Sequence, residues 1–143
     1  MAIWFKTPIP EQANELHKDT LVSYLDIRIA HVGDDFIIGS MPVDERTMQI
    51  SGVLHGGASL TLAETLATYA ANCCVDPAKY SCIGLDINAN HLRQVRKGRV
   101  TAMARPIHLG KKTQVWRIEI KDDNDHLISE ARLTVAVMDK LAS

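Results

Sequence analysis

The order of apolar and polar residues predicts a β-hairpin near the start of the chain. Apolar side chains occupy every second position over residues 25–30, and a second apolar run covers residues 36–41. Such alternation is typical of a strand with one buried face. Gly33-Asp34-Asp35 between the two runs indicates a turn. Residues 11–24, before the hairpin, are polar with some helical character.

A long segment without strand alternation follows, from Gly57 to about Val75. It is rich in alanine and leucine, which favour helices, and Asp76-Pro77 ends it. Because its residues are apolar or small on nearly every side, we expect the rest of the protein to enclose it. The segment therefore predicts one long central helix.

Four further segments with alternating or β-branched residues follow the helix. They cover residues 82–91, 99–109, 113–121 and 127–138, and polar turns separate them. Segments joined in this way are typical of consecutive antiparallel strands. The hairpin, the helix and these strands predict an α+β domain, with an antiparallel sheet of about six strands wrapped around one long central helix.

The composition fits a single domain. The chain has 143 residues, of which 46% are hydrophobic and 23% charged, and no repeat or linker divides residues 1–143. A net charge of -1 gives no overall positive field that would favour binding to nucleic acid or to an anionic membrane. The sequence has no apolar run that could span a bilayer, and no basic segment followed by an apolar one at its N-terminus. We therefore expect a cytoplasmic protein.

The spacing of cysteines and histidines gives no sign of a metal site. Cys73, Cys74 and Cys82 fit neither a disulfide framework nor the paired spacing of zinc ligands. The six histidines are scattered, without an HExxH or similar arrangement. We expect reduced cysteines in the core, no metal and no redox cofactor.

Glu64 is the only formally charged residue between His55 and Asp76. Removing a carboxylate from water costs several kcal/mol, of order 3 or more, unless a partner compensates it. The helix supplies no basic residue, so the partner must come from another element or another chain, or Glu64 must face a cleft. Carboxylates in clefts are frequent catalytic groups.

Neighbouring hydroxyl groups could orient this carboxylate. Thr68 lies four residues after Glu64 and Thr61 three residues before it, so either hydroxyl could bond to it on one face of a helix. The alternative is a solvent-facing stripe made of Glu64 with Thr61, Thr65, Thr68 and Asn72.

The start of the helix is a second candidate site. At His55-Gly56-Gly57 the backbone N–H groups lack acceptors within the helix, and the helix dipole is positive there. Glycine also allows close approach, so the Gly56 amide could polarise a substrate carbonyl as negative charge develops. The alternative is that the two glycines only allow a tight turn into the helix.

The two candidate groups lie too far apart to act together in one chain. Eight residues separate Gly56 from Glu64, which is about 12 Å along a helix. Two helices packed antiparallel across a two-fold axis would bring the Gly56 amide of one subunit to Glu64 of the other. We therefore expect a homodimer with shared active sites.

At this point the motifs match a known family. The segments are QISGVLHGGASLTLAET at residues 49–65, MPVDERT at 41–47, GLDINANHLR at 84–93 and PIHLGKK at 106–112. In this order they resemble the PaaI-like hotdog-fold acyl-CoA thioesterases. The resemblance covers residues 4–137 and is greatest to the branch that contains 1,4-dihydroxy-2-naphthoyl-CoA hydrolase and the enterobactin proofreading thioesterase.

The resemblance implies roles for five residues. Glu64 is the catalytic carboxylate, as nucleophile or general base, and the Gly56 amide is the oxyanion donor. Gln49 and His55 contact the thioester or the attacking water, and Thr68 orients Glu64. No cofactor is implied, because CoA is part of the substrate, although an acyl carrier protein could take its place. Relatives often pair their dimers into tetramers.

The resemblance also implies where CoA binds. Family members use the strand ends that match His91, Leu92, Arg93 and Gln94, and those that match His108, Leu109, Gly110, Lys111, Lys112 and Thr113. Arg93, Lys111 and Lys112 are the candidates for its phosphates, because phosphate groups favour Lys and Arg. The alternative for any one lysine is a solvated turn charge.

One departure from the family concerns substrate choice. Relatives commonly have Pro-Phe where this chain has Ile50-Ser51, on the loop expected to touch the acyl group. The favoured function is hydrolysis of an acyl-CoA with an aromatic or medium-sized acyl group, such as hydroxybenzoyl- or dihydroxynaphthoyl-CoA. The alternatives are a hotdog dehydratase or hydratase acting on a hydroxyacyl thioester, and a non-catalytic acyl-CoA-binding regulator.

Overall fold

A computed structural model describes residues 1–141 of the chain. Its sheet has six strands in the order β1-β2-β4-β5-β6-β3, and each neighbouring pair is antiparallel. The strands are β1 Arg28–Val32, β2 Ile37–Pro42, β3 Tyr80–His91, β4 Arg99–Leu109, β5 Thr113–Lys121 and β6 Leu127–Asp139. This agrees with the predicted hairpin and the four strands after the helix.

Three helices complete the fold: α1 Pro10–Leu16, α2 Leu21–Tyr24 and α3 Gly56–Cys73. The helix α3 packs against five strands, β2 to β6. The predicted α+β arrangement is thereby confirmed, with the long helix within two residues of its expected ends. No helix within residues 1–141 has the length and apolar character needed to cross a membrane.

The first strand begins later than predicted. Leu25 and Ile27 are buried, as their alternation suggested, but they precede β1. Between them Asp26 adopts a φ of 54°, in the left-handed region, which interrupts an extended strand. Arg99 donates to the Asp26 carboxylate at 3.0 Å, and the guanidinium groups of Arg28 and Arg99 lower the pKa of that carboxyl.

The core lies between α3 and the sheet. Fully buried Leu62 and Leu66 of α3 belong to the same apolar cluster as Trp116, Ile118 and Leu133 of β5 and β6. At about 1.5–3 kcal/mol for each large side chain, this burial is a principal stabilising term. We expected the rest of the protein to enclose α3, but the side of the helix that faces away from the sheet is only half-buried. This side carries a polar stripe, which consists of Thr61, Glu64, Thr65, Thr68 and Asn72.

The strand β3 forms one edge of the sheet, and within residues 1–141 its outer side pairs with nothing. Ile83 and Leu85 on this strand are 52% and 63% exposed, although both are large apolar residues. Asn72 of α3 fixes the position of the strand. Its side-chain amide donates to the Cys82 carbonyl at 3.1 Å, and its oxygen accepts from the Cys82 N–H at 2.8 Å.

Candidate active site

An open cleft of about 810 Å³ lies along the polar stripe of α3. The end of α1, the start of α2, the stripe itself and the first half of β3 form its walls. Its lining residues are His17, Leu21, Val22, Thr61, Glu64, Thr65, Thr68, Tyr69, Asn72, Cys82, Ile83 and Gly84. We call it the Glu64 cleft. It has the size of a pocket for a small organic group.

Glu64 is half-buried in this cleft and has no ion-pair or hydrogen-bond partner in the part of the chain that the structure describes. Gly84 of β3 lies opposite. A Cβ atom there would be 3.7 Å from Glu64 Oε1, so the glycine keeps space open beside the carboxylate. A carboxylate without a partner, facing an open space, is available to act on a ligand.

The expected hydrogen bond from a threonine to Glu64 is not formed. The Thr61 hydroxyl donates to the Gly57 carbonyl at 2.9 Å instead, a frequent bond for threonine within helices. The Thr68 hydroxyl is buried and has no partner within residues 1–141. A buried hydroxyl without a partner costs about 1–3 kcal/mol. Because Thr68 Oγ1 and Glu64 Oε1 both lie within 4 Å of the same point beside Gly84, a polar ligand atom placed there could contact both.

His55 caps the N-terminus of α3. Its Nδ1 accepts a hydrogen bond from the Gly57 N–H at 2.7 Å. In the neutral imidazole the proton is therefore on Nε2, which is a donor. His55 thus accepts from the Gly57 N–H, whereas the Gly56 N–H has no acceptor among the described residues. The helix start thus offers a free amide donor at the positive end of the dipole.

Gly56 lines a second cleft, of about 390 Å³, which we call the Gly56 cleft. The imidazole of His91 covers the glycine, since a Cβ atom at Gly56 would be 2.7 Å from His91 Nε2. His91 Nδ1 in turn lies 3.2 Å from the hydroxyl of buried Ser129. Gln49 lines this cleft, and Ile50 beside it is exposed.

The residues predicted to bind CoA fall in two places. His91, Leu92, Arg93 and Gln94 all line the Gly56 cleft. The other group, residues 108–113, covers the end of β4, the turn after it and the first residue of β5, and it lines neither this cleft nor the Glu64 cleft. One chain therefore brings only the first group to the predicted oxyanion donor.

The predicted catalytic residues are also divided within one chain. Glu64 and Thr68 lie in the Glu64 cleft, whereas Gly56 and Gln49 lie in the Gly56 cleft. His55 joins Gln49 and Gly56 in an adjoining recess. This separation agrees with the distance expected from the length of helix between Gly56 and Glu64.

Burial raises the pKa of the cysteine and tyrosine side chains in and near the Glu64 cleft. Burial raises the pKa of the Cys82 thiol to about 11 and that of nearby Cys74 to about 12, so neither is a thiolate at neutral pH. Burial and Cys73 together raise the pKa of Tyr69 to about 12. The two thiols and the Tyr69 hydroxyl are therefore uncharged at neutral pH.

Sequence reasoning missed His17 and Tyr69, which lie in this cleft with their rings edge to face, 5.6 Å apart. His17 belongs to the polar segment before the hairpin, and no spacing pattern connects it with α3. Within residues 1–141 no group of three or more His, Cys, Asp or Glu side chains could hold a metal ion.

A six-stranded antiparallel sheet packed on a helix, with a free carboxylate over a cleft, defines a hotdog-fold hydrolase. The model of the thioesterase superfamily matches residues 51–129, and the chain belongs to this family. A 1,4-dihydroxy-2-naphthoyl-CoA hydrolase of Escherichia coli is 44% identical, over 95% of this chain and 99% of its own. The proofreading thioesterase EntH of Cronobacter turicensis is 40% identical, over 95% and 98%.

Solved structures agree with this assignment. A glutamine-to-alanine variant of a Pseudomonas aeruginosa thioesterase has a TM-score of 0.96 and 47% identity, covering 97% of this chain and 100% of its own. Two variants of a Staphylococcus aureus thioesterase have TM-scores of 0.81 and 0.79 at 42% identity, covering 84% and 82% of this chain and 99% and 97% of theirs. One replaces a glutamate and the other a glutamine. The number of residues between these two positions in the sequence is the same as between Gln49 and Glu64. The predictions of a hotdog fold and of a thioester hydrolase are therefore confirmed.

Proposed function

We propose that the protein hydrolyses acyl-CoA thioesters whose acyl group is aromatic or medium-sized, such as hydroxybenzoyl- or dihydroxynaphthoyl-CoA, to the free acid and CoA. The observation that carries the proposal is Glu64, a carboxylate without a partner that faces the open space beside Gly84. The names of the Escherichia coli and Cronobacter relatives support thioester chemistry and, in the first case, an aromatic acyl-CoA.

In the proposed reaction Glu64 acts on the thioester carbonyl carbon. It either attacks that carbon directly, giving an anhydride that water then cleaves, or removes a proton from a water molecule that attacks it. Negative charge then develops on the carbonyl oxygen, where the free Gly56 N–H donates a hydrogen bond. The C–S bond breaks, and CoA leaves as a thiolate that takes up a proton.

Three further residues support this step. The Nε2–H of His55 is a donor for the thioester, and the Gln49 amide lies in the same recess. The Thr68 hydroxyl, buried without a partner, gains one from water or substrate beside Glu64. The glutamine and glutamate replaced in the two relatives of known structure have the spacing of Gln49 and Glu64, which supports these assignments.

CoA is proposed to run from the Gly56 cleft across the surface. Arg93 at the rim of that cleft and Lys111 and Lys112 in the turn between β4 and β5 are exposed cations suited to its phosphates. The cytoplasmic location, and the lack of nucleic-acid and membrane partners, stay predictions from composition.

The complete site is proposed to form between two copies of the chain. In one copy Glu64 and the Gly56 amide line different clefts. The strand β3 beside Glu64 is a sheet edge with exposed Ile83 and Leu85, and such edges are free to pair with a second strand. Pairing across this edge would place α3 of each copy beside the other and give two shared sites. Such dimers are expected to pair into a tetramer.

The two alternative functions fit the site less well. A hydroxyacyl dehydratase needs a histidine that acts as a base beside an acid. His55 does not fit this role, because its Nδ1 accepts from the Gly57 N–H and its Nε2 then carries the proton. A non-catalytic acyl-CoA-binding regulator has no use for an unpaired carboxylate at the centre of its pocket.

We expect the purified protein to release free thiol from benzoyl-CoA and related aryl-CoA thioesters in a chromogenic thiol assay. The substrate panel should include short, medium and long acyl groups, each on CoA and on acyl carrier protein. Turnover should be fastest for aromatic or medium groups on CoA. If no thioester in the panel is cleaved faster than in buffer, the proposed activity is wrong.

Mixed dimers test the shared site. We expect the variants Glu64→Gln and Gly56→Pro to be inactive alone, because each removes one component from both sites. In a mixed dimer, isolated with two different affinity tags, one site keeps both components and the other keeps neither. Its activity should therefore reach about half that of the wild type. If one chain supplied a whole site, the mixed dimer would stay inactive, and a fully active monomer would equally refute the arrangement.

A further inference from the structure

His17 offers a hydrogen-bond acceptor to the Glu64 cleft. It lies just after α1, is half-buried and lines the cleft. Its Nδ1 is 2.8 Å from the Ala13 carbonyl oxygen. A carbonyl can only accept, so Nδ1 carries the proton, and in the neutral ring Nε2 has a free lone pair. Within residues 1–141 this second nitrogen has no partner.

The ring of His17 is held in place on two sides. The carbonyl that it bonds to belongs to Ala13, which is completely buried. On the other side its ring packs edge to face on Tyr69, with the planes at 67°. His17 is thus a hydrogen-bond acceptor with a fixed position in the cleft.

The spacing along α3 between Glu64 and the residue that contacts His17 suits a small aromatic group. Tyr69, against which His17 packs, is five residues beyond Glu64 on α3, or about 7.5 Å along the helix. Apolar side chains line the same cleft, among them Leu21, Val22 and Ile83. A single ring attached to the thioester carbon and carrying a polar group on its far side spans such a cleft.

We propose that His17 is a specificity-determining residue, whose Nε2 accepts a hydrogen bond from a hydroxyl group on the far side of an aromatic acyl group. The thioester carbon of this substrate lies at Glu64. The inference rests on the proposed thioesterase function and specifies which acyl groups are preferred. A site that places an acceptor for a substrate hydroxyl discriminates against the analogue that lacks it.

The test compares kcat/KM for 3- and 4-hydroxybenzoyl-CoA with kcat/KM for benzoyl-CoA. The wild type should prefer at least one hydroxylated substrate by about tenfold. In His17→Phe, which keeps a ring against Tyr69 but has no acceptor, this preference should vanish. His17→Asn can still donate to the Ala13 carbonyl but does not reach as far as Nε2, so it should lose the preference too.

Two controls make the comparison specific. His17→Gln places an amide oxygen near the position of Nε2 and should restore part of the preference. Tyr69→Phe keeps the ring contact and should leave the ratio at the wild-type value. The ratio for 3-hydroxybutanoyl-CoA over butanoyl-CoA should not change in any variant, because that hydroxyl is too near the thioester to reach His17.

The outcomes separate this inference from the proposed function. If the wild type cleaves the aryl thioesters but the hydroxyl preference persists in His17→Phe and His17→Asn, the role of His17 is refuted. The role is also refuted if no hydroxylated isomer is preferred by the wild type. If the wild type cleaves none of these thioesters, the proposed function itself fails.

Discussion

Replacing Glu64 with alanine is expected to lower kcat for aryl-CoA hydrolysis by about 10²–10⁴-fold, which is the usual contribution of a catalytic base. The variant is expected to remain folded. The carboxylate has no hydrogen-bond or ion-pair partner within residues 1–141, so its removal breaks no stabilising contact. Taking a partly desolvated charge away should leave the melting temperature unchanged or slightly higher. Thiol release and a thermal melt measure the two effects.

The variant Glu64→Gln separates charge from shape. It keeps the size and polarity of the side chain, so an equal loss of kcat would show that the ionised carboxylate is required. Glu45→Ala removes an exposed carboxylate from the loop after β2 and should retain wild-type activity. Single turnover in labelled water distinguishes the two chemical routes, because only an anhydride intermediate places the label in Glu64 itself. Wild-type turnover in Glu64→Ala would contradict every form of the mechanism.

Removing the Gly56 amide donor is expected to have the second largest effect, about 10²–10³-fold in kcat. The variant Gly56→Pro does this with little cost to the backbone. Proline is well accepted at the first position of a helix, which Gly56 occupies. The preceding residue, His55, has φ -71° and ψ 132°, a conformation that residues before proline favour.

The matched control is Gly56→Ala, which keeps the N–H. Alanine and proline both place a Cβ atom 2.7 Å from His91 Nε2, so the imidazole must move in both variants. The difference in kcat between them therefore isolates the amide donor from this steric effect. Equal activities for the two variants, with circular dichroism showing both folded, would mean that the Gly56 N–H does not stabilise the transition state.

The alternation of residues predicted most of the fold, because one buried face of a sheet and short polar turns leave a regular pattern. The bounds of β4 and β5 agree with the expected segments to the residue. The pattern failed at β1, since burial of Leu25 and Ile27 continues through a left-handed residue, Asp26, that ends the extended conformation. Apolar alternation reports burial and does not report backbone conformation.

The candidate site was only partly predictable. Glu64 stood out because an unpaired charge in an apolar helix is costly, and the structure places it in a cleft. That Thr68 makes no hydrogen bond to Glu64 was not predictable from spacing, because residues four apart on a helix are near each other whether or not their polar atoms meet. His17 was missed because its contact with Tyr69 depends on how the N-terminal segment folds over α3.

The bonds between Asn72 and Cys82 have a consequence for how this protein tolerates change. They connect α3 directly to β3, so the position of Gly84 opposite Glu64 does not depend on the turn at residues 74–79 that joins the two elements. Residues 77–79 of this turn are exposed, and lengthening an exposed loop costs little conformational entropy. Insertions and deletions in this turn can therefore accumulate in evolution while the width of the cleft is preserved.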